Sequence, residues 1–161
     1  MTENNAENAC VFCRILRGEL TPGVIAFRDE HTAVFPSGDQ QLRNRGHMLV
    51  VPTRHMTQID EIQPDAAGPL MITLARVTAA MKTVFSADGV SIRQNNGPHG
   101  GQDVFHVHFH VVPRFADDGF IGLGRQYGTT ELPLDERVEQ ARRLAAALDS
   151  STSPPPATSS A

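Results

Sequence analysis

Seven consecutive residues, His106-Val107-His108-Phe109-His110-Val111-Val112, limit what this chain can become more than any other stretch. Imidazoles alternate with apolar side chains, and a period of two is that of a β-strand, whose successive side chains point to opposite faces. Read so, the segment turns three histidines to one face and Val107, Phe109 and Val111 to a core on the other. A strand this apolar on one side belongs inside a sheet, with its ring-bearing side open to a cleft. At a rise of ~3.3 Å per residue, alternate rings stand roughly 6.6 Å apart, so one small anionic group reaches two or three of them. Three of the seven histidines in the chain lie in this row, which core packing alone does not explain.

The rest of the chain supplies a domain to carry that strand. With 161 residues, 40% of them apolar, it can bury one core, and its length favours one domain over two. A net charge of −4 argues against a surface that tracks nucleic-acid phosphates, which would be basic. The first nine residues lack the basic and apolar regions of a secretory leader, and no run of 18 apolar residues follows. A cytoplasmic protein without a membrane anchor is therefore expected.

Short β-type runs at 24–27 and 32–35 flank a polar turn, and the apolar run 48–51 stops at Pro52. Leu70, Leu74, Val77, Met81, Val84 and Phe85 recur at helical spacing, which predicts a long amphipathic helix over 69–85. Two further strands are expected at 90–93 and 104–112, joined by the turn-rich loop 95–102. Asp135 is placed to cap a last helix bearing Val138, Ala141, Leu144, Ala145 and Leu148. The expected fold class is α+β: an antiparallel sheet of about five strands, one long helix packed on it and a C-terminal helix. Residues 1–9 are expected as a flexible lead, 10–149 as the domain, and the Pro/Ser/Thr-rich segment 150–161 as a disordered tail.

The histidine row resembles the signature of the histidine triad (HIT) family of nucleotide hydrolases and transferases, His-φ-His-φ-His-φ-φ with φ apolar, and every position obeys it. The resemblance extends, in the family's order, to Cys10-Val11-Phe12-Cys13-Arg14-Ile15, to Gly46-His47-Met48-Leu49-Val50-Val51-Pro52-Thr53-Arg54-His55, and to Gly101-Gln102-Asp103-Val104 and Val112-Pro113-Arg114. It implies a HIT-like fold and chemistry at the α-phosphate of a nucleoside monophosphate conjugate, such as a phosphoramidate or a dinucleoside polyphosphate. A neutral imidazole has a free lone pair near neutral pH and can attack phosphorus without an activating base. The labile phosphoramidate so formed is then resolved by water or another acceptor, splitting one hard displacement into two.

By position His108 matches the family's nucleophile, His110 its α-phosphate contact and His47 the fourth histidine that supports the triad. The turn Gly100-Gly101-Gln102-Asp103 can aim backbone N–H groups at phosphate oxygens. Gln102 matches a phosphate-contacting glutamine, and Asn95 a contact on the nucleotide side. Val11, Phe12, Ile15 and Phe35 resemble the apolar clamp around a base. Where most members hold the ribose hydroxyls with Asp or Asn, this chain offers Ser37 by position and Asp39 by chemistry in a loop that looks longer, so nucleoside affinity is the property in question. By the same resemblance the substrate is a purine nucleotide and the protein a homodimer.

Cys10 and Cys13 are the only cysteines, and their Cys-x-x-Cys spacing gives no disulfide framework but either half of a tetrahedral zinc site or a redox pair, the latter disfavoured because only nine residues precede it where a thioredoxin-type motif follows a strand. The resemblance supplies the other half, His55 and His106, which makes the zinc structural, one per chain. Two alternatives stay open at this point. One is a metal-dependent hydrolase in which His106 and His108 bind a catalytic ion with a carboxylate. The other is a nucleotide-binding module without turnover.

Overall fold

The computed structural model describes residues 3–119 and 128–150. Its main sheet is antiparallel, in the order β1-β2-β4-β6-β5: β1 (Phe27–Arg28), β2 (Thr32–Pro36), β4 (Met48–Pro52), β5 (Gly89–Gln94) and β6 (Phe109–Arg114). The fold class is therefore the α+β expected from the sequence. β2 and β4 are buried along their whole length, which is why both are nearly unbroken apolar runs rather than alternating ones.

Each face of the sheet has its own core. On one, Val34, Met48, Val50, Val107, Phe109 and Val111 meet Leu70, Leu74, Val77 and Met81 of α3 (Pro64–Val84) and Leu144 and Leu148 of α4 (Leu134–Ser150). Burying each such side chain contributes roughly 1.5–3 kcal/mol. On the other, Ala33, Phe35, Leu49 and Val51 pack against Phe12, Cys13, Ile15 and Leu16 of α2 (Val11–Leu16). His110 pairs in register with Leu49, so it emerges on this second face, beside α2.

Several local expectations shift. The long helix starts five residues before Pro69, at Pro64, because a proline at the first helical position has no intrahelical bond to lose. Pro69 sits in its second turn, where its ring omits one backbone bond. Asp135 lies inside the first turn of α4 rather than capping it. The run 24–27 pairs only from Phe27, with Ala26 adding a single bond to the Val34 carbonyl. A second, two-stranded sheet, β3 (Asp39–Gln41) with β7 (Thr129–Glu131), had no alternating pattern to announce it. Within 1–9, expected as a flexible lead, Glu3–Ala9 forms α1. Ser150 ends α4, and 151–161 lie outside the described residues.

The most consequential shift is in the histidine row. Only its second half is strand: β6 begins at Phe109, not Val104. The neighbouring β4 ends at Pro52, which has no N–H to continue a ladder. Val107 instead donates its N–H to the carbonyl of Met56, and His106 turns back to bond the Val104 carbonyl.

Candidate active site

That break in the strand divides the three rings between two tasks. His106 is fully buried and donates Nε2–H to the Pro52 carbonyl at 2.9 Å, which leaves the lone pair on Nδ1. This Nδ1 lies 3.5 Å from both Cys10 Sγ and Cys13 Sγ, and His55 Nδ1 lies 3.3 Å from Cys13 Sγ. The four ligand atoms are all within 4.8 Å of one another. Zinc bonds of ~2.0–2.3 Å in a tetrahedron require ligand–ligand edges of roughly 3.3–3.8 Å, so the cluster is already near metal-binding size. Its donor chemistry fits as well, since two thiols and two imidazoles make a closed structural set. Burial, and then Cys10 beside it, push the Cys13 thiol up to about 12, which a bound cation would reverse.

His108 and His110 face the other way. His108 is 2% exposed and donates Nδ1–H to the His106 carbonyl at 2.7 Å, so its lone pair is on Nε2. The His108 and His110 ring centres are 4.8 Å apart. His110 in turn meets His47, Nδ1 to Nε2 at 3.0 Å, while His47 Nδ1 lies 3.1 Å from the Asp39 carbonyl oxygen. That carbonyl can only accept, so His47 donates from Nδ1 and accepts from His110 on Nε2. Burial holds His47 well below the ordinary value of 6.5, at about 4, and keeps it neutral and able to accept. Phe12 is wedged edge-on against His106 and His108, with centroids at 5.9 and 5.2 Å, and separates the metal cluster from the cleft.

A cleft of about 360 Å³ opens on this face. Val11, Phe12, Ile15 and Phe35 make its apolar wall, Ser37 and Asp39 stand on its rim, and Asp103, His108 and His110 lie at its end. Asp103 is exposed, with a carboxylate oxygen 3.8 Å from Nε2 of His108. Both candidates for the ribose position thus face the same space. His108 is not among the metal-capable cluster, so no described pair of His106 and His108 forms an ion site.

Against this geometry, a family model described as HIT domain matches residues 19–117. The chain belongs to the HIT family. An uncharacterized HIT-like protein of Methanocaldococcus jannaschii is 39% identical over 110 residues, covering 68% of this chain and 82% of that one. An adenylylsulfatase of Arabidopsis thaliana is 30% identical over 112 residues, 70% of this chain and 55% of its own length. An adenosine 5'-monophosphoramidase of Schizosaccharomyces pombe is 28% identical over 116 residues, 72% and 82% respectively. Among solved structures, a zinc-bound histidine triad family protein of Mycobacterium smegmatis superposes with a TM-score of 0.71 at 30% identity, over 89% of this chain and 96% of that one.

Not every residue marked from the HIT motifs reaches the cleft. Gln102 is buried, accepts the Gly97 N–H on Oε1 and donates to the Thr57 and Val104 carbonyls. Asn95 donates to the Gly101 carbonyl, and neither Asn95, Gly101 nor Gln102 lines the cleft. The N–H groups of Gly100, Gly101 and Gln102 bond Gly97 and Pro98 carbonyls, because the loop winds into a tight 3-10 turn over Pro98–Gly100. They are therefore not directed at a ligand.

Conversely, Leu20, Thr21 and Arg137 line the cleft without having carried any signal. Arg137 comes from α4 and donates to the Pro36 carbonyl at 3.2 Å, a contact that exists only once α4 docks. Gln40 is fully buried behind His47: its Oε1 accepts the N–H groups of Gly46 and His47, and its Nε2 donates to the Ser37 and His47 carbonyls. A glutamine in a polar loop gives no sequence clue to such a role. Among the described residues, no helix is long and apolar enough to cross a membrane.

Proposed function

We propose that this HIT protein hydrolyses purine nucleoside monophosphate conjugates at the α-phosphate, through a covalent nucleotidyl intermediate on His108. One observation carries the reading: the bond from Nδ1–H of His108 to the His106 carbonyl puts the lone pair of the neutral ring on Nε2, at the end of an apolar, nucleoside-sized cleft. The relatives named as an adenylylsulfatase and a monophosphoramidase support a nucleotide hydrolase.

In the first step the Nε2 lone pair of His108 forms a bond to phosphorus, and the bond from phosphorus to the leaving group breaks. The leaving group departs with that electron pair and takes a proton from Nε2–H of His110. Neutral His47, accepting from Nδ1–H of His110, stabilises the doubly protonated ring that donates it. In the second step water attacks phosphorus, its proton returns to Nε2 of His110, and the P–N pair returns to His108. Both histidines end as they began. Val11, Phe12, Ile15 and Phe35 hold the base, Ser37 and Asp39 the ribose hydroxyls, and Asp103 stands beside His108 at the phosphate end. Cys10, Cys13, His55 and His106 would hold a zinc ion, which would brace the N-terminal helices against the segment that positions His108. A second copy of the chain pairs along β5, a sheet edge on which Ile92 is 48% exposed.

Rapid-quench mass spectrometry of protein mixed with an adenosine 5'-monophosphate conjugate tests the mechanism. A nucleotidyl adduct on a peptide containing His108, absent in His108→Ala, is the expected result. Turnover without any adduct, or an adduct that survives in His108→Ala, would overturn it.

A further inference from the structure

His110 belongs to two cavities. Beyond the nucleoside cleft, a smaller space of about 130 Å³ is bounded by Ser37, Asp39, His47, Asp103, His110 and Arg93. It touches His110, the ring that protonates the leaving group in the proposed chemistry, but not His108. An in-line displacement sends its leaving group away from the attacking nitrogen, and the proton it takes comes from His110, beside this space.

Arg93 is the residue there that the proposed chemistry leaves unused. It sits on β5 directly opposite His110 of β6, and cross-strand partners project from the same face of a sheet. Its Nε is buried and has no hydrogen-bond partner, and among the described residues Arg93 forms no ion pair. A guanidinium is always charged and presents donors in a planar fork suited to two oxygens of one anion. Leaving the buried Nε–H unmatched is costly, and an anion entering the cavity would supply its acceptor. The carboxylates of Asp39 and Asp103 are exposed on the same rim, where water screens them, whereas Arg93 is half-buried. The guanidinium also disfavours a proton on His47, which places its field on the His47–His110 pair.

Resting on the reading of His108 and His110 as the phosphoryl site, we infer that Arg93 forms an oxyanion subsite for the leaving group. It selects conjugates whose departing group carries a phosphoryl or sulfuryl oxyanion over those that release a neutral amine. The cavity has room for a group of that size, a central atom and its oxygens.

The test compares wild type, Arg93→Gln and Arg93→Lys on two substrates, adenosine 5'-phosphosulfate and the phosphoramidate of adenosine monophosphate. The readout is the ratio of their kcat/KM values. Arg93→Gln should lower the ratio of the sulfate to the amidate at least about tenfold, as for loss of a charge-assisted pair, and Arg93→Lys should recover part of it. An unaltered ratio in Arg93→Gln overturns the subsite. Calorimetry decides the question without turnover. Wild type should bind α,β-methylene adenosine diphosphate about tenfold more tightly than adenosine monophosphate, and Arg93→Gln should lose that gain. Equal affinities in the wild type would refute the subsite even if both substrates turn over. A gain in affinity with no turnover of either substrate would refute the hydrolase reading and leave the subsite standing.

Discussion

Replacing Gln40 by Met tests whether a buried amide, rather than the histidines alone, positions the His47–His110 pair. Gln40 has no exposed surface, and its four hydrogen bonds measure 2.8 Å to the Gly46 N–H, 2.9 Å to the His47 N–H, 3.0 Å to the Ser37 carbonyl and 2.9 Å to the His47 carbonyl. Methionine matches its length but makes none of these bonds. The His47 carbonyl keeps a partner, since it also accepts the Ser37 N–H at 2.9 Å. Three backbone groups are therefore orphaned: the N–H groups of Gly46 and His47 and the carbonyl of Ser37. An unsatisfied buried group costs ~1–3 kcal/mol, and partial relaxation together with the gain from burying an apolar side chain trims the sum to about 3–5 kcal/mol. For a domain of this size that corresponds to a fall in Tm of roughly 10 °C. Urea unfolding, with the m-value checked for constancy, measures it directly. The loop also carries the Asp39 carbonyl that fixes the His47 tautomer, so turnover should fall further than the folded fraction does. A Met variant within about 1 kcal/mol of wild type, with full activity, would refute the view that Gln40 organises His47.

Gly46→Ala should destabilise by about 3 kcal/mol, because Gly46 has φ +107° and an added Cβ would lie 2.7–2.9 Å from ring atoms of Phe85; an unchanged unfolding midpoint would contradict this. Purified protein should contain about one zinc per chain by elemental analysis, and Cys13→Ser should lose both the metal and stability, whereas a metal-free wild type of equal stability would remove zinc from the scheme. The depressed value of His47 sets a pH dependence of known sign. Below its ordinary value of 6.5 the unfolded chain binds a proton that the native state refuses down to about 4, so stability falls as pH falls through that window. The loss approaches about 3 kcal/mol. His47→Asn should flatten that part of the stability profile, and a slope identical to wild type would show that His47 is not held neutral by burial.

Much of this molecule is legible in the order of its residues because the relevant physics is local. Alternation about His108 and His110, the apolar runs of β2 and β4, and the helical spacing of Leu70, Leu74, Val77 and Met81 each reflect a period set by the backbone itself. So does the Cys10-x-x-Cys13 pair, whose spacing brings two thiols together within one turn of chain. Those features, with the family resemblance, sufficed for the fold class, and they named the residues that line the apolar side of the cleft and the four that cluster around Cys10 and Cys13.

What the tertiary structure alone decided concerns groups distant in sequence. Pro52 ends β4, and the strand of the histidine row starts only at Phe109, so the break that turns His106 away from His108 and His110 is an outcome that the alternation within 106–112 does not contain. Ring tautomers depend on which carbonyl each nitrogen meets, and those of Pro52, His106 and Asp39 are positioned by the folded sheet and loop. Gln102 is turned inward, where the loop's own backbone and the Thr57 carbonyl satisfy its amide. Gln40, Arg93 and Arg137 carry no periodicity, so only packing against β2, β6 and the cleft shows what they do. Sequence records the periods that build elements; hydrogen-bond partners and unpartnered charges emerge when those elements meet.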